Sequence, residues 1–173
     1  MRKAALFIAL LAIGCGGSST EKALKDLLPA SGEITGWVED TAKGEAGPEE
    51  TSELTLAYDW VDGAMDKFKL HGWEALAREY YKNGDMELTL YIYRMSSPQN
   101  AEAVYEAIAD YSGVEWTDTQ FGGGESKGRF GVIYTYCYAD AVKGKYFLES
   151  TTKPSSAEQA AKSFFQAALK KIP

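Results

Sequence analysis

The sequence predicts an α+β fold: an antiparallel β-sheet with helices packed on one face, built as two ββα units preceded by an N-terminal helix. Three observations lead there. Residues 73–95 read as two alternating strands around Asn83-Gly84, a strong short-range hairpin signal. Apolar residues recur at helical spacing after the strand-rich stretches, at residues 98–108 and again near the C-terminus. The order strand, strand, helix at residues 73–110 returns at 129–171. There Ser97-Pro98-Gln99-Asn100-Ala101 lines up with Ser156-Ala157-Glu158-Gln159-Ala160, and Tyr105 with Phe164. A duplicated unit explains this echo; chance similarity is the alternative.

The elements follow in order. Residues 21–28 carry Ala23, Leu24, Leu27 and Leu28 on one side of a short helix that Pro29 ends. Residues 34–38 read as a short strand, and residues 39–51 as a polar, acidic loop. Leu54, Tyr58, Val61, Met65 and Phe68 mark an amphipathic helix over 53–70, with Ser52 able to cap its start and Gly72 to close its end. In the second hairpin strand Met86, Leu88, Leu90 and Ile92 share one face, and Glu87, Thr89, Tyr91 and Tyr93 the other. Ser97 then caps a helix with Pro98 at its first position, its apolar stripe being Ala101, Val104, Tyr105 and Ile108. A glycine-rich loop over 112–128 leads to two further strands, at 130–139 and 145–151. Ser156 and Gln159 suit a capping box for a last helix with Ala160, Phe164, Ala167 and Ala168 on one face.

Composition narrows the function. The chain has a formal net charge of −7, with 11 Tyr, 7 Phe and 4 Trp, so it is acidic and globular. Such a charge argues against a nucleic-acid partner, whose binding runs on basic surface. It argues equally against a domain lying flat on anionic headgroups.

Few residues suggest chemistry. Gly124-Glu125-Ser126-Lys127-Gly128 matches G-x-S-x-G, but it follows a loop and opens a strand, where a nucleophile elbow follows a strand and opens a helix. His71, the one histidine, sits at a helix end, where meeting the dipole is its plainer role than general base. One histidine without clustered cysteines cannot make a usual zinc site, so no metal and no cofactor is expected. Asp59, Asp62 and Asp66 share a helical face; a solvated stripe near Lys69 is favoured over a cation site. Tyr80, Tyr91 and Tyr93, with Tyr134, Tyr136 and Tyr138, are either core or one aromatic sheet face open to a ligand. Tyr91, Tyr93 and Asp62 are the candidate ligand-binding residues, and no catalytic residue is assigned. The expected function is a non-catalytic binding or assembly module for another envelope protein or a small ligand. An envelope hydrolase using acidic residues, Asp62 first, is the alternative.

The N-terminus gives location. Met1-Arg2-Lys3 is cationic, and residues 4–13 form an apolar run too short to cross a bilayer but suited to a signal peptide. Leu11-Ala12-Ile13-Gly14-Cys15 resembles the lipobox of bacterial lipoproteins. The resemblance implies cleavage after Gly14 and acylation of Cys15, hence a membrane-lipid anchor on a protein facing periplasm or exterior. Losing Arg2 and Lys3 would leave a mature chain of charge −9. Three segments are expected: a signal peptide at 1–14; the anchor, a leash through Gly16-Gly17-Ser18-Ser19-Thr20 and a short helix at 15–30; and one α+β domain at 31–173. With Cys15 acylated, Cys137 has no disulfide partner and reads as a buried, inert thiol in an apolar strand.

Short motifs carry one further resemblance. Tyr58-Asp59-Trp60-Val61-Asp62-Gly63-Ala64, Lys69-Leu70-His71-Gly72-Trp73 and Tyr93-Arg94-Met95-Ser96-Ser97-Pro98-Gln99-Asn100-Ala101, with Leu28-Pro29 and Gly36-Trp37 upstream, resemble an uncharacterised domain family of secreted bacterial proteins. The resemblance implies a fold and no activity. Gly63 inside a helical pattern costs about 1 kcal/mol against alanine, so it signals close backbone packing or a kink at Asp62.

Overall fold

The computed structural model describes residues 22–44, 46–61, 63–109, 114–122 and 125–173. Cys15 and Asp62 lie outside them. The fold is α+β, and the described strands make one antiparallel sheet in the order β1-β3-β4-β8-β7-β6-β5, with β2 also paired to β3. The strands are β1 (Val38–Glu39), β2 (Glu49–Thr51), β3 (Trp73–Asn83), β4 (Met86–Met95), β5 (Thr117–Thr119), β6 (Lys127–Ile133), β7 (Tyr136–Lys143) and β8 (Tyr146–Lys153). The helices are α1 (Leu54–Trp60), α2 (Met65–Leu70), α3 (Pro98–Ile108) and α4 (Glu158–Lys171).

Several elements form for the reasons the sequence supplies. The β3–β4 hairpin turns at Gly84-Asp85, and Gly84 takes φ +60, as the first central residue of a type II′ turn requires. Ser97 caps α3: its hydroxyl accepts from the Asn100 N–H at 3.2 Å, and Pro98 fills the first helical position. Ala101, Val104, Tyr105 and Ile108 are all buried. Gly72, at φ +71, closes α2 through its N–H to the Lys69 carbonyl.

Other elements differ. The helix over 53–70 is two helices, α1 and α2, broken where Gly63 adopts φ +69, a conformation no α-helix contains. Ser52 does not cap α1; Glu53 holds that position. The strand at 34–38 shrinks to Val38–Glu39, because the chain turns through Gly32 and Gly36, both at positive φ. The single strand at 130–139 is a hairpin, β6–β7, turning at Tyr134-Thr135. The capping box at Ser156 does not form; a 3₁₀ turn, Ser155–Ala157, leads into α4. The buried stripe of α4 is Ala161, Phe164, Phe165, Ala168 and Leu169, rotated from the expected one.

Helices cover both faces of the sheet, not one. One face packs Ala75, Ala77, Leu88, Leu90, Ala139 and Leu148 against α4 and the N-terminal 3₁₀ turn Leu24–Leu27. The opposite face packs Leu76, Tyr93, Val142 and Phe147 against α1, α2 and α3. Neighbouring residues such as Phe147 and Leu148 are both buried, so each face demands cover. The two ββα stretches are accordingly no spatial repeat: α3 and α4 clamp β7–β8 from opposite sides. The 3₁₀ turn belongs to the domain. Leu24, Leu27 and Leu28 are core residues, Tyr81 donates to the Pro29 carbonyl at 2.7 Å, and Lys171 Nζ donates to the Leu28 carbonyl at 2.8 Å.

Candidate functional site

An open cleft of about 800 Å³ lies between α3, β5 and the start of β6. Two glycines of β6 let the edge of the sheet fold over on itself. A Cβ at Gly128 would strike the Phe121 ring, and one at Gly131 would strike Val114 and come within 2.9 Å of the Glu115 carbonyl. Residues 114–121 therefore press close to β6. That brings Trp116 across to α3, where its Nε1 donates to the Ala109 carbonyl at 2.8 Å.

Arg129 lies at the floor, 4% exposed, facing Asp140, 2% exposed, its registered partner on β7. Nε and Nη2 donate to one Asp140 oxygen at 3.0 and 2.7 Å, and Nη2 also donates to the Tyr105 carbonyl at 2.6 Å. The guanidinium packs against two rings, 4.1 Å from the Tyr105 centroid and 4.6 Å from that of Trp116. Burial lifts the Asp140 carboxyl above its ordinary value, and the guanidinium opposes that lift. Burial also pushes the Tyr105 phenol up to about 12, so it stays neutral. Glu106, Asp118 and Lys127 stand around the mouth, with Lys127 paired to Glu102 at 2.9 Å.

A second arginine cluster sits on the same sheet face near the other edge. Arg78 donates through Nε to Glu49 at 2.7 Å and lies 4.1 Å from the Trp60 ring and 5.3 Å from that of Tyr80. The candidate tyrosines lie beside it. Tyr93 is fully buried and stacks on Phe68 at 3.9 Å between centroids. Tyr91 is half-buried beneath α1, its hydroxyl donating to the Trp60 carbonyl at 3.4 Å, and burial raises its phenol. Tyr80, Tyr91, Tyr93, Tyr136 and Tyr138 do fall on one face by register, but Tyr134 stands apart at its turn.

Ser126 lines the cleft, buried, its hydroxyl donating to the Gly122 carbonyl at 3.4 Å. His71 caps α2 just before β3. Strands β4, β8 and β7 separate β3 from β6, roughly 19 Å at the usual strand spacing, so His71 cannot serve Ser126. Asp66 accepts a hydrogen bond from Tyr58 across the α1–α2 break, so the expected stripe of aspartates is not one continuous helical face. Cys137 is buried, and burial raises its thiol to about 11. Among the described residues no three His, Cys, Asp or Glu side chains group as a metal site, and no helix is long and apolar enough to cross a membrane.

Sequence reasoning missed Arg129 and Asp140. They lie eleven positions apart, and only the β6–β7 turn brings them opposite. The available signal was a charged residue in each of two otherwise apolar stretches.

No family model and no curated protein matches the chain. Among solved structures, the extracellular domain of PknH from Mycobacterium tuberculosis is similar at 11% identity and a TM-score of 0.47, over 73% of this chain and 82% of that one. An uncharacterised protein from Mycobacterium smegmatis is similar at 12% identity and a TM-score of 0.41, over 73% of this chain and 85% of that one.

Proposed function

We propose that this chain is a lipid-anchored envelope protein facing periplasm or exterior, whose domain is a non-catalytic binding or assembly module. On this reading residues 1–14 are a signal peptide, Cys15 carries the lipid, and a short leash leads to Leu24, the first described core residue. The observation that carries the binding role is the cleft. Its volume of about 800 Å³ suits ligand sites, and it combines aromatic walls with a few fixed polar groups. The two carboxylates that burial lifts most, Glu79 and Asp140, do not line it, which favours binding over acid–base hydrolysis.

The test is purification of the lipidated protein from gently solubilised native membranes, beside its Cys15→Ser and Trp116→Ala forms. The native form should partition with detergent and retain a partner or ligand. Cys15→Ser should move to the aqueous phase, and Trp116→Ala should stay anchored but lose what is bound. A Cys15→Ser form that still follows the detergent overturns the anchor. A Trp116→Ala form that keeps its cargo overturns the cleft as the site.

A further inference from the structure

Arg129 has more donors than its partners use. Asp140 takes Nε and Nη2, and the Tyr105 carbonyl takes the rest of Nη2. The two N–H groups of Nη1 have no partner among the described residues, and Nη1 is not sealed within the protein. Arg129 lines the cleft, so that edge of the guanidinium meets solvent there. The Tyr105 and Trp116 rings both pack against it, at 4.1 and 4.6 Å from their centroids. The result is a largely buried, pre-oriented donor nitrogen, which a carboxylate oxygen can take in a charge-assisted hydrogen bond.

The mouth has the opposite character. Glu106 and Asp118 are exposed there, Lys127 is occupied by Glu102, and the whole chain is acidic. A simple anion is repelled before it reaches Arg129, and a simple cation gains nothing at the floor. A molecule with both charges satisfies both levels, its carboxylate on Arg129 Nη1 and its ammonium towards Glu106 or Asp118. We propose that the cleft binds a small zwitterion of the α-amino-acid type, free or as a short peptide. The inference rests on the binding reading above and names the ligand class of that site.

Calorimetric titration of the detergent-solubilised mature protein tests it. The probes are alanine, dialanine and trialanine, then N-acetyl-trialanine, trialanine amide and succinate. At least one of the three zwitterions should bind, blocking either end should weaken binding tenfold or more, and the dianion succinate should not bind. The Glu106→Gln, Asp118→Asn double variant changes only exposed side chains. It should lose tenfold for the zwitterion and lose its preference for a free amine. Arg129→Lys should abolish binding; if that variant does not fold, the double variant decides. Absence of binding across the zwitterions, equal binding of the blocked peptides, or an unaffected double variant each overturns the proposal. A protein partner recovered from membranes and released by Trp116→Ala would overturn it too while leaving the binding module standing. The module reading itself falls only if nothing is retained in that purification and none of these probes binds.

Discussion

The sheet carries the same device twice, and the two copies differ in how far water reaches them. Arg78 and Arg129 each lie against two aromatic rings and pair with one carboxylate at 2.7 Å, on the same sheet face. The Arg129–Asp140 side chains are 4% and 2% exposed, those of Arg78 and Glu49 13% and 20%. Geometry alone ranks the pairs as equals; solvation does not. A largely buried charge left without its partner costs about 3–5 kcal/mol, whereas a more solvated partner is worth about 1 kcal/mol or less.

The sharpest way to break the comparison is to remove each carboxylate. Asp140→Ala should lose about 3–5 kcal/mol in urea unfolding, and Glu49→Ala about 1 kcal/mol. Equal losses would show that the rings, not burial, set the energetics.

Glu79 supplies the missing comparison, a buried carboxylate with no arginine. It is 4% exposed, one oxygen accepts from the Tyr80 N–H at 2.9 Å, and the other has no partner among the described residues. Burial raises it from 4.5 to about 7, with Glu39 and Glu49 adding to the rise. The native state therefore holds this proton more tightly than the unfolded chain does. Its contribution is complete below pH 4.5, declines as pH rises from 4.5 to about 7, and is gone above. Glu79→Gln should be roughly 2 kcal/mol more stable than the parent at pH 8, with the gap closing below pH 5. A gap constant across thermal unfolding curves at pH 4.5, 6 and 8 would place the strain elsewhere.

The smallest effect concerns the turn that separates Arg129 from Asp140. Tyr134 is 93% exposed and holds φ +52 at a turn position where glycine is unstrained. Tyr134→Gly should raise the melting temperature by a few degrees, for a gain of about 1 kcal/mol. A loss would mean that the ring is stabilising despite its exposure.

That turn also explains what the sequence did not reveal. Where turn chemistry was written in glycine, serine and proline, as at Gly84, Gly72 and Ser97-Pro98, elements were legible nearly to the residue. Tyr134-Thr135 uses residues typical of strands, so β6 and β7 merged into one expected strand. The second helical face was hidden because tyrosines cover it. Tyr91 and Tyr93 read as ambiguous, and the packing of Phe68 on Tyr93 places that residue in the core. Gly63 did announce the break between α1 and α2, and the smooth apolar spacing outweighed it. The arginine clusters are tertiary objects: Arg78 meets Trp60 and Glu49 only through β2 and α1, which no local period encodes.

The strand order carries a further consequence, in time rather than space. The hairpins β3–β4, β6–β7 and β7–β8 each close over a few residues, but the β4–β8 seam joins Leu88 to Thr152. Closing so long a loop costs entropy before the seam rewards it, so local hairpins form early and the centre of the sheet late. Until then β4 and β8 each present a bare edge, and α3 lacks the continuous bed that it later has across β4, β8 and β7. One of the two middle seams of the finished sheet is thus the one left open longest during its assembly.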